Sequence, residues 1–170
     1  MADPTDIRMV VFDVDGVLTD GQIILNDHGV ETKQFDVRDG FAMSAAQRMG
    51  LKVAVLTGRS SRVVTLRMTE LAVDSLLQGA GDKAMGLQTI CEQAQLQPQQ
   101  CAFVGDDLID LPAMLRCGYP IAVADAVDEV RAQARYITTA PGGHGAAREA
   151  IEHLLRGQGR WQQLVEQYTM

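Results

Sequence analysis

Short apolar runs alternate along this chain with amphipathic segments of helical spacing, several of which end at a glycine. Six apolar runs are predicted as strands, at residues 8–12, 52–56, 74–77, 101–104, 119–123 and 136–138. Six segments are predicted as helices, five between these strands and one after the last, at residues 39–49, 60–71, 83–94, 111–117, 127–134 and 146–156. This alternation predicts βαβ units. We therefore expect an α/β fold, a Rossmann-like three-layer sandwich with a mostly parallel sheet and helices on both faces.

One segment breaks the alternation. Residues 21–37 contain two extended stretches around Asn26-Asp27-His28-Gly29, a strong turn signal, so they are predicted to form a β-hairpin flap. Residues 141–170 are predicted as a C-terminal tail that begins with the glycine-rich loop 141–145. That loop is either a flexible connection or a holder of an anion through its backbone N–H groups. The length fits one domain, spanning residues 1–170.

Charge and cysteine content narrow the classes of function. The net charge is −7, from 15 basic and 22 acidic residues, which argues against a nucleic-acid partner. No apolar run is long enough to span a bilayer, so no membrane partner is expected. The three cysteines include no CxxC pair, which favours reduced thiols and a cytoplasmic protein.

Polar side chains follow several of the predicted strands. Asp13 and Asp15 come directly after the first strand, Thr57 follows the second, and Asp106 and Asp107 follow the fourth. In a parallel sheet these groups meet at the carboxyl edge, where ligands bind. Lys83 opens a helix between them, and Asp110 lies one helical turn beyond Asp106.

So many carboxylates in one cleft need a cation. Two unit charges in contact repel by roughly 4 kcal/mol at an effective dielectric constant near 20. Oxygen ligands favour a hard divalent ion, and Mg²⁺ suits a site that also binds phosphate. Asp107 and Asp110 either bind this metal or orient Lys83 and the metal's waters.

The same residues suit phosphoryl transfer. One carboxylate can attack phosphorus and form an aspartyl-phosphate, while a second protonates the leaving alkoxide and then deprotonates water. Thr57 can donate a hydrogen bond to a phosphate oxygen, and Lys83 supplies positive charge to the transferring group.

The segments DVDGVLTDG, LTGR, a single Lys and GDDLID resemble the four motifs of the haloacid dehalogenase superfamily of phosphatases, in the family's order. The resemblance implies that Asp13 is the nucleophile and Asp15 the general acid and base. It implies that Thr57 and Lys83 bind phosphate. It also implies that Mg²⁺ takes the Asp13 side chain, the Asp15 backbone carbonyl and Asp106.

Nearly the whole chain resembles one branch, the capless 3-deoxy-D-manno-octulosonate 8-phosphate (KDO 8-phosphate) phosphatases, which act in lipopolysaccharide precursor synthesis. The hairpin, the segment DVRDG at residues 36–40 and the segment GGHGAARE at residues 142–149 carry this resemblance. It implies a homotetramer whose hairpins pack together and in which neighbouring subunits cover the site. The substrate contacts it implies are Asp15, Arg38, Asp39, Gly40, Gly58, Arg59, Arg67 and Lys83.

Ser44 and His144 differ from the branch, which has arginine at the first position and often at the second. Neither serine nor a neutral histidine replaces a bidentate arginine contact. The same chemistry on another sugar-acid phosphate, such as a nine-carbon sugar 9-phosphate, is therefore an alternative.

A receiver-type phospho-signalling domain and a non-catalytic assembly module are further alternatives. Asp15 argues against a receiver domain. A second carboxylate beside the nucleophile promotes turnover of the aspartyl-phosphate, whereas a signalling domain benefits from a long-lived phosphoryl group. Two interpretations stay open for each of two arginines: Arg38 is a substrate contact or a solvated hairpin charge, and Arg67 is a substrate contact or part of a salt bridge.

Overall fold

A computed structural model describes residues 3–169 of the chain. The strands are β1 (Met9–Phe12), β2 (Ile24–Leu25), β3 (Glu31–Thr32), β4 (Lys52–Leu56), β5 (Ser75–Leu77), β6 (Cys101–Gly105), β7 (Tyr119–Ala122) and β8 (Tyr136–Ile137). The helices are α1 (Val37–Arg48), α2 (Arg62–Glu70), α3 (Lys83–Ala94), α4 (Leu111–Met114), α5 (Asp128–Gln133), α6 (Ala146–Gly157) and α7 (Trp161–Glu166). Short 3₁₀ turns lie at Pro4–Asp6, Pro98–Gln100 and Leu108–Asp110.

Six strands form one parallel sheet in the order β5-β4-β1-β6-β7-β8. After β1, the strands β4 and β5 are added on one side of the sheet. The chain then returns past β1, and β6, β7 and β8 are added on the other side. Because crossovers between parallel strands are right-handed, this change of direction places α1 and α2 on one face and α3, α4 and α5 on the opposite face. Helix α6 packs against α1. The predicted α/β fold with a mostly parallel sheet is confirmed.

The central strands are buried along their full length, except for Lys52 at the start of β4. A strand covered by helices on both faces has no solvent side, so its sequence is a continuous apolar run instead of an alternating one. Phe12 of β1 and Phe103 of β6 are among the largest fully buried side chains. These neighbouring strands anchor the core directly below their carboxyl ends.

Several predicted bounds were wrong in detail. The predicted helix 111–117 is four residues long, and the 3₁₀ turn Leu108–Asp110 precedes it. The side chain of Asp107 accepts a hydrogen bond from the Leu108 N–H at 2.7 Å and so starts this tight turn. The hairpin strands have only two residues each. The predicted turn is present, because the Asn26 side chain accepts hydrogen bonds from the N–H groups of His28 and Val30.

The C-terminal tail folds back onto its own chain. Trp161, at the start of α7, is largely buried, and the guanidinium carbons of Arg148 and Arg156 lie 5.0 and 5.4 Å from its ring centroid. The Tyr168 hydroxyl accepts a hydrogen bond from Arg48 of α1 at 2.5 Å. In residues 3–169, no helix is long and apolar enough to cross a membrane.

Candidate active site

The carboxyl ends of β1, β4 and β6 bring the predicted polar residues to one place. The Asp13 N–H continues the ladder to the carbonyl of Val104, at 3.1 Å, so Asp13 leaves the sheet beside β6. This is the point at which the strand order reverses, the usual ligand site of such sheets. A cavity of about 250 Å³ lies there, lined by Asp13, Asp15, Gly21, Thr57, Gly58, Arg59, Asp106, Asp107 and Ile109.

Gly16 allows the loop after β1 to approach β6 closely. Its φ of +89° lies in the left-handed region. A Cβ atom on Gly16 would lie 2.0 Å from Oδ2 of Asp106. Any other residue here would displace the Asp106 carboxylate, so this glycine is required for both backbone conformation and space.

Asp13, Asp106 and Asp110 form a carboxylate cluster in which one oxygen of each lies within 4.8 Å of the others. Burial, followed by the charges of Asp110 and Asp13, raises the pKa of Asp106 to about 8. Burial and the charge of Asp110 raise the pKa of Asp13 to about 6, although Lys83 opposes the shift. Within residues 3–169, the buried Oδ1 atoms of Asp13 and Asp106 have no hydrogen-bond partner. Each of these two carboxyl groups has a raised pKa and one unpartnered oxygen. Such a pair suits a hard divalent cation such as Mg²⁺.

Lys83 supplies a fixed positive charge to this cluster. The Asp82 side chain accepts hydrogen bonds from the N–H groups of Ala84 and Met85, so helix α3 starts at Lys83. The Lys83 ammonium lies 2.7 Å from Asp13 Oδ2 and also donates to Asp110. Burial acts to lower the pKa of Lys83, but the charges of Asp13 and Asp110 outweigh it and raise the pKa. Lys83 is therefore a buried cation beside Asp13.

Asp110 holds the other groups in position. It is fully buried, and Oδ2 accepts hydrogen bonds from the N–H groups of Asp106 and Asp107 at 2.9 and 3.3 Å. Its other oxygen accepts from Lys83. This arrangement favours the alternative in which Asp110 orients Lys83. Asp107 instead caps the 3₁₀ turn and lines the cavity.

The Asp15 carboxylate contacts a second group of charged side chains. Its carboxylate accepts a hydrogen bond from Lys33 and lies 3.6 Å from a guanidinium nitrogen of Arg59. Lys33 follows β3 of the hairpin, and its side chain is only 1% exposed. Neither Lys33 nor its neighbour Glu31 was predicted as a site residue. No local pattern marks them, because only the folding of the hairpin over the loop after β1 brings Lys33 to Asp15.

Arg38, Asp39, Gly40 and Arg67 do not line the cavity that contains Asp13. Arg38 forms an ion pair with Asp36 at 2.6 Å, and its side chain is 64% exposed. The Arg67 side chain passes helix α1 at Gly40, since a Cβ atom on Gly40 would lie 2.2 Å from Nη2 of Arg67. Arg67 also forms an ion pair with Glu70 at 2.9 Å. Of the predicted substrate contacts, only Asp15, Gly58, Arg59 and Lys83 lie at the cavity or against its acidic residues.

Asp39 is buried, and its Oδ1 atom accepts a hydrogen bond from the Arg148 N–H near the start of α6 at 2.7 Å. Burial raises the pKa of Asp39 from 3.8 to about 6. A carboxyl group with a raised folded-state pKa lowers the free energy of unfolding as the pH rises from its unfolded pKa to its folded pKa. Asp39→Asn removes this ionisation and keeps an acceptor. The stability of Asp39→Asn relative to the parent is therefore expected to increase by about 1 kcal/mol between pH 5 and 7.5.

Urea unfolding of both proteins at these two pH values, in EDTA, measures this difference. Asp27→Asn at the exposed hairpin tip removes the same charge without burial and serves as the control. A stability difference between Asp39→Asn and the parent that is the same at both pH values would contradict the raised pKa.

The loop 141–145 is packed against the loop that follows β1. A Cβ atom on Gly142 would lie 1.8 Å from the Gly16 carbonyl oxygen. The Gly142 N–H donates to Asp125 and the Gly143 N–H donates to the Val17 carbonyl, both at 2.9 Å. Since these N–H groups already have protein acceptors, the loop supports the position of the β1 loop and is not arranged to hold an anion.

Comparisons with known proteins agree with this geometry. Residues 75–149 match the family of haloacid dehalogenase-like hydrolases. The 3-deoxy-D-manno-octulosonate 8-phosphate phosphatase KdsC of Escherichia coli strain B is 41% identical over 160 residues, which cover 94% of this chain and 85% of that protein.

Solved structures give the same result. The crystal structure of the Moraxella catarrhalis KDO 8-phosphate phosphatase, in complex with magnesium, phosphate and KDO, superposes with a TM-score of 0.94 at 39% identity and covers 97% of this chain and 95% of that chain. The cobalt-bound Haemophilus influenzae phosphatase superposes with a TM-score of 0.90 at 37% identity and covers 93% and 92% of the two chains. This chain therefore belongs to the KDO 8-phosphate phosphatase family of the haloacid dehalogenase-like hydrolases.

Proposed function

We propose that this protein is a Mg²⁺-dependent phosphomonoesterase that hydrolyses KDO 8-phosphate to KDO and inorganic phosphate. The observation that carries the proposal is Asp13, a buried carboxylate with one unpartnered oxygen, beside Lys83 and Asp106 at the cavity. Its relatives named as KDO 8-phosphate phosphatases support the choice of substrate. The pathway would be lipopolysaccharide precursor synthesis, in the cytoplasm.

Asp13 is the nucleophile in this proposal. Its carboxylate oxygen attacks phosphorus, and the bond from phosphorus to the sugar oxygen breaks, which leaves an aspartyl-phosphate on Asp13. Thr57 donates a hydrogen bond to a phosphate oxygen, and Lys83 neutralises part of the negative charge. The buried ammonium of Lys83 is held by Asp13 and Asp110, so it needs little reorganisation during transfer.

Asp15 transfers the protons. It gives a proton to the departing sugar oxygen and later takes one from the water that attacks the aspartyl-phosphate. Free phosphate then leaves, and Asp13 is regenerated as a carboxylate. Asp15 lies two residues from Asp13 and lines the same cavity, which supports this assignment.

Mg²⁺ would be held by Asp13, the Asp15 backbone carbonyl and Asp106. When bound, it would offset the repulsion between the carboxylates and neutralise charge on the phosphoryl group. The unpartnered oxygens of Asp13 and Asp106 support this ligand set. Asp110 is occupied by Lys83 and two backbone N–H groups, so we assign it no direct metal bond.

Release of inorganic phosphate from a panel of sugar phosphates tests the proposal. With Mg²⁺, we expect strong preference for KDO 8-phosphate over nine-carbon sugar-acid 9-phosphates and neutral sugar phosphates, and near-complete loss of activity in excess EDTA. Preference for a nine-carbon sugar would replace the proposed substrate, with Ser44 and His144 as the first residues to exchange for arginine. Absence of turnover with a long-lived phosphorylated protein would instead favour the receiver-type alternative.

We further propose that the chain forms a homotetramer through its hairpin. Apolar side chains of the hairpin region face solvent in the single chain, including Ile23, Leu25 and Val30, each between 58% and 59% exposed. A cluster of this kind on one flap is typical of a protein–protein contact. Light scattering at micromolar concentration is expected to give four times the mass of the chain, and a stable monomer would refute the assembly.

A further inference from the structure

Two of the three cysteines face each other inside the fold. Cys91 and Cys101 are fully buried, and their Sγ atoms lie 3.4 Å apart. Both are free thiols. Since an S–S bond is about 2.05 Å long, the two sulfur atoms need to approach by about 1.4 Å to bond. Rotation of either side chain about its Cα–Cβ bond can supply a movement of this size.

The pair results from the packing of α3 against the start of β6. Ala84, Leu87 and Cys91 are buried at spacings of three and four residues, so they share one face of α3. Cys101 is the first residue of β6 and directly follows the 3₁₀ turn Pro98–Gln100, which contacts α3. The two thiols therefore meet where the chain turns back from the helix into the strand.

The pair lies beneath a part of the fold that opens easily. Cys91 belongs to the last turn of α3, and the helix ends at Gln95, whose φ of +57° is unfavourable for a residue with a side chain. Helix ends also fray, so this turn has low local stability. A cavity of about 360 Å³ lies alongside, lined by residues on both sides of Cys91 in the helix, including Gln88 and Glu92. A small oxidant such as hydrogen peroxide therefore has a short route to the Cys91 sulfur.

The thiols differ in acidity. The hydrogen bond from the Cys101 thiol lowers the pKa of Cys91, whereas the same hydrogen bond, followed by burial, raises the pKa of Cys101. Cys91 is thus the thiol that ionises first, and the thiolate is the form that reacts with a peroxide. Burial raises the pKa of Cys117 to about 12, so Cys117 stays a thiol although it is only partly buried.

We propose that Cys91 and Cys101 are a modification site at which a peroxide forms a reversible disulfide within the native packing. The Cys91 thiolate attacks one peroxide oxygen and breaks the O–O bond, which gives a sulfenic acid on Cys91 and hydroxide. The hydroxide combines with the proton that Cys91 released. The Cys101 sulfur then attacks the Cys91 sulfur, so that the S–S bond forms, the S–O bond breaks and the hydroxyl leaves as water with the Cys101 proton. Two thiols are oxidised by two electrons, and one peroxide is reduced to two waters.

The disulfide would join the last turn of α3 to the first residue of β6. It closes a loop in the unfolded chain, so the unfolding temperature of the oxidised protein is expected to rise by about 3–8 °C. Lys83 lies at the opposite end of α3, about two helical turns away. Phosphate release is therefore expected to stay within about twofold of the reduced protein, as for changes at distant sites. A reducing cytoplasm would reverse the bond and so spare Cys91 from irreversible oxidation to a sulfinic acid.

Peptide mapping by mass spectrometry, after treatment of the folded protein with hydrogen peroxide, tests the proposal. The peptide that contains both cysteines is expected to lose two hydrogen atoms and to regain them with dithiothreitol. This crosslink is expected to form at least roughly tenfold faster than Cys117 is oxidised, although Cys117 is the more accessible thiol. Cys117→Ser is the matched control and is expected to form the crosslink at the parent rate, whereas Cys91→Ser forms none.

The parent protein alone can overturn the proposal, so no variant has to fold. Oxidation of Cys117 ahead of the pair, or conversion of Cys91 to a sulfinic acid without a crosslink, would exclude the site. A crosslink that forms only in urea would show that native packing does not bring the thiols into reaction. A lower unfolding temperature of the oxidised protein, or a larger loss of phosphate release, would show that the fold does not accommodate the bond. The dithiol chemistry is independent of the substrate proposed above.

Discussion

Asp13→Asn is expected to lower the rate of phosphate release by roughly 10⁴-fold or more, as for other enzymes that lose a covalent nucleophile. The amide has nearly the same shape as the carboxylate, but it does not attack phosphorus. Asp15, Thr57 and Lys83 stay in place, so substrate binding is expected to persist. The variant therefore separates bond formation at phosphorus from binding.

The same substitution is expected to leave the fold intact. Burial raises the pKa of Asp13 to about 6, which means that the Asp13 carboxylate is less stable in the folded protein than in the unfolded chain. A neutral amide does not carry this desolvation cost, and Lys83 keeps Asp110 as its partner. Thermal unfolding in EDTA is expected to occur at or above the parent temperature.

Phosphate release and mass spectrometry of acid-quenched protein measure these effects together. The parent is expected to carry one added phosphoryl group during turnover, and Asp13→Asn none. Asp27→Asn, at the exposed hairpin tip, controls for the loss of one negative charge. A phosphorylated Asp13→Asn protein, or substantial turnover by it, would remove Asp13 as the nucleophile.

Lys83→Met is expected to affect both activity and stability. The Lys83 ammonium is the cation between Asp13 and Asp110, both of which are buried. Its loss leaves two buried carboxylates that repel each other. Removal of one partner from a buried ion pair typically costs about 3–5 kcal/mol of folding free energy. We expect a loss near the lower end of this range in EDTA, because a raised pKa allows Asp13 to take up a proton.

Phosphate release by Lys83→Met is expected to fall by roughly 10³-fold, the size of effect seen when a cation that stabilises a transferring phosphoryl group is lost. Added Mg²⁺ is expected to recover part of the stability, since it supplies positive charge to the same carboxylates, but little of the activity. Urea unfolding with EDTA or Mg²⁺ and steady-state kinetics give both quantities.

Lys52→Met is the matched control for this substitution. Lys52 is exposed at the opposite end of β4 from Thr57, so its loss removes the same charge far from the cavity. Equal losses in the two variants would show that net charge accounts for the effect. Full activity in Lys83→Met would contradict the assigned role of Lys83.

The acidic centre of the site could be predicted without the fold. Asp13 and Asp106 follow β1 and β6, whose unbroken apolar sequences identify them as central parallel strands. Parallel strands end at one edge, so the residues that follow them in sequence become neighbours in space. Lys83 could be predicted because an N-cap aspartate precedes it and fixes the start of its helix.

The short elements were less predictable. The turn Leu108–Asp110 depends on hydrogen bonds that Asp107 and Asp110 make to nearby backbone groups, and these compete with a regular helix. The hairpin strands are two residues long, so hydrophobic periodicity had too few positions to define them. Helix α7 depends on Trp161, which packs between arginines of α6.

The sequence alone therefore determined the α/β fold class and the residues that meet at the sheet edge, because apolar strands and the helices between them are recognised locally, and such βαβ connections make the strands parallel. The tertiary structure decided the partners of Asp15 and the separation of Arg38 and Arg67 from the cavity. It also decided that Asp110 holds Lys83. Those contacts join segments far apart in the chain, such as Lys33 with Asp15 and Arg67 with Gly40. Their geometry depends on how the hairpin and helices pack, which no local pattern of residues specifies.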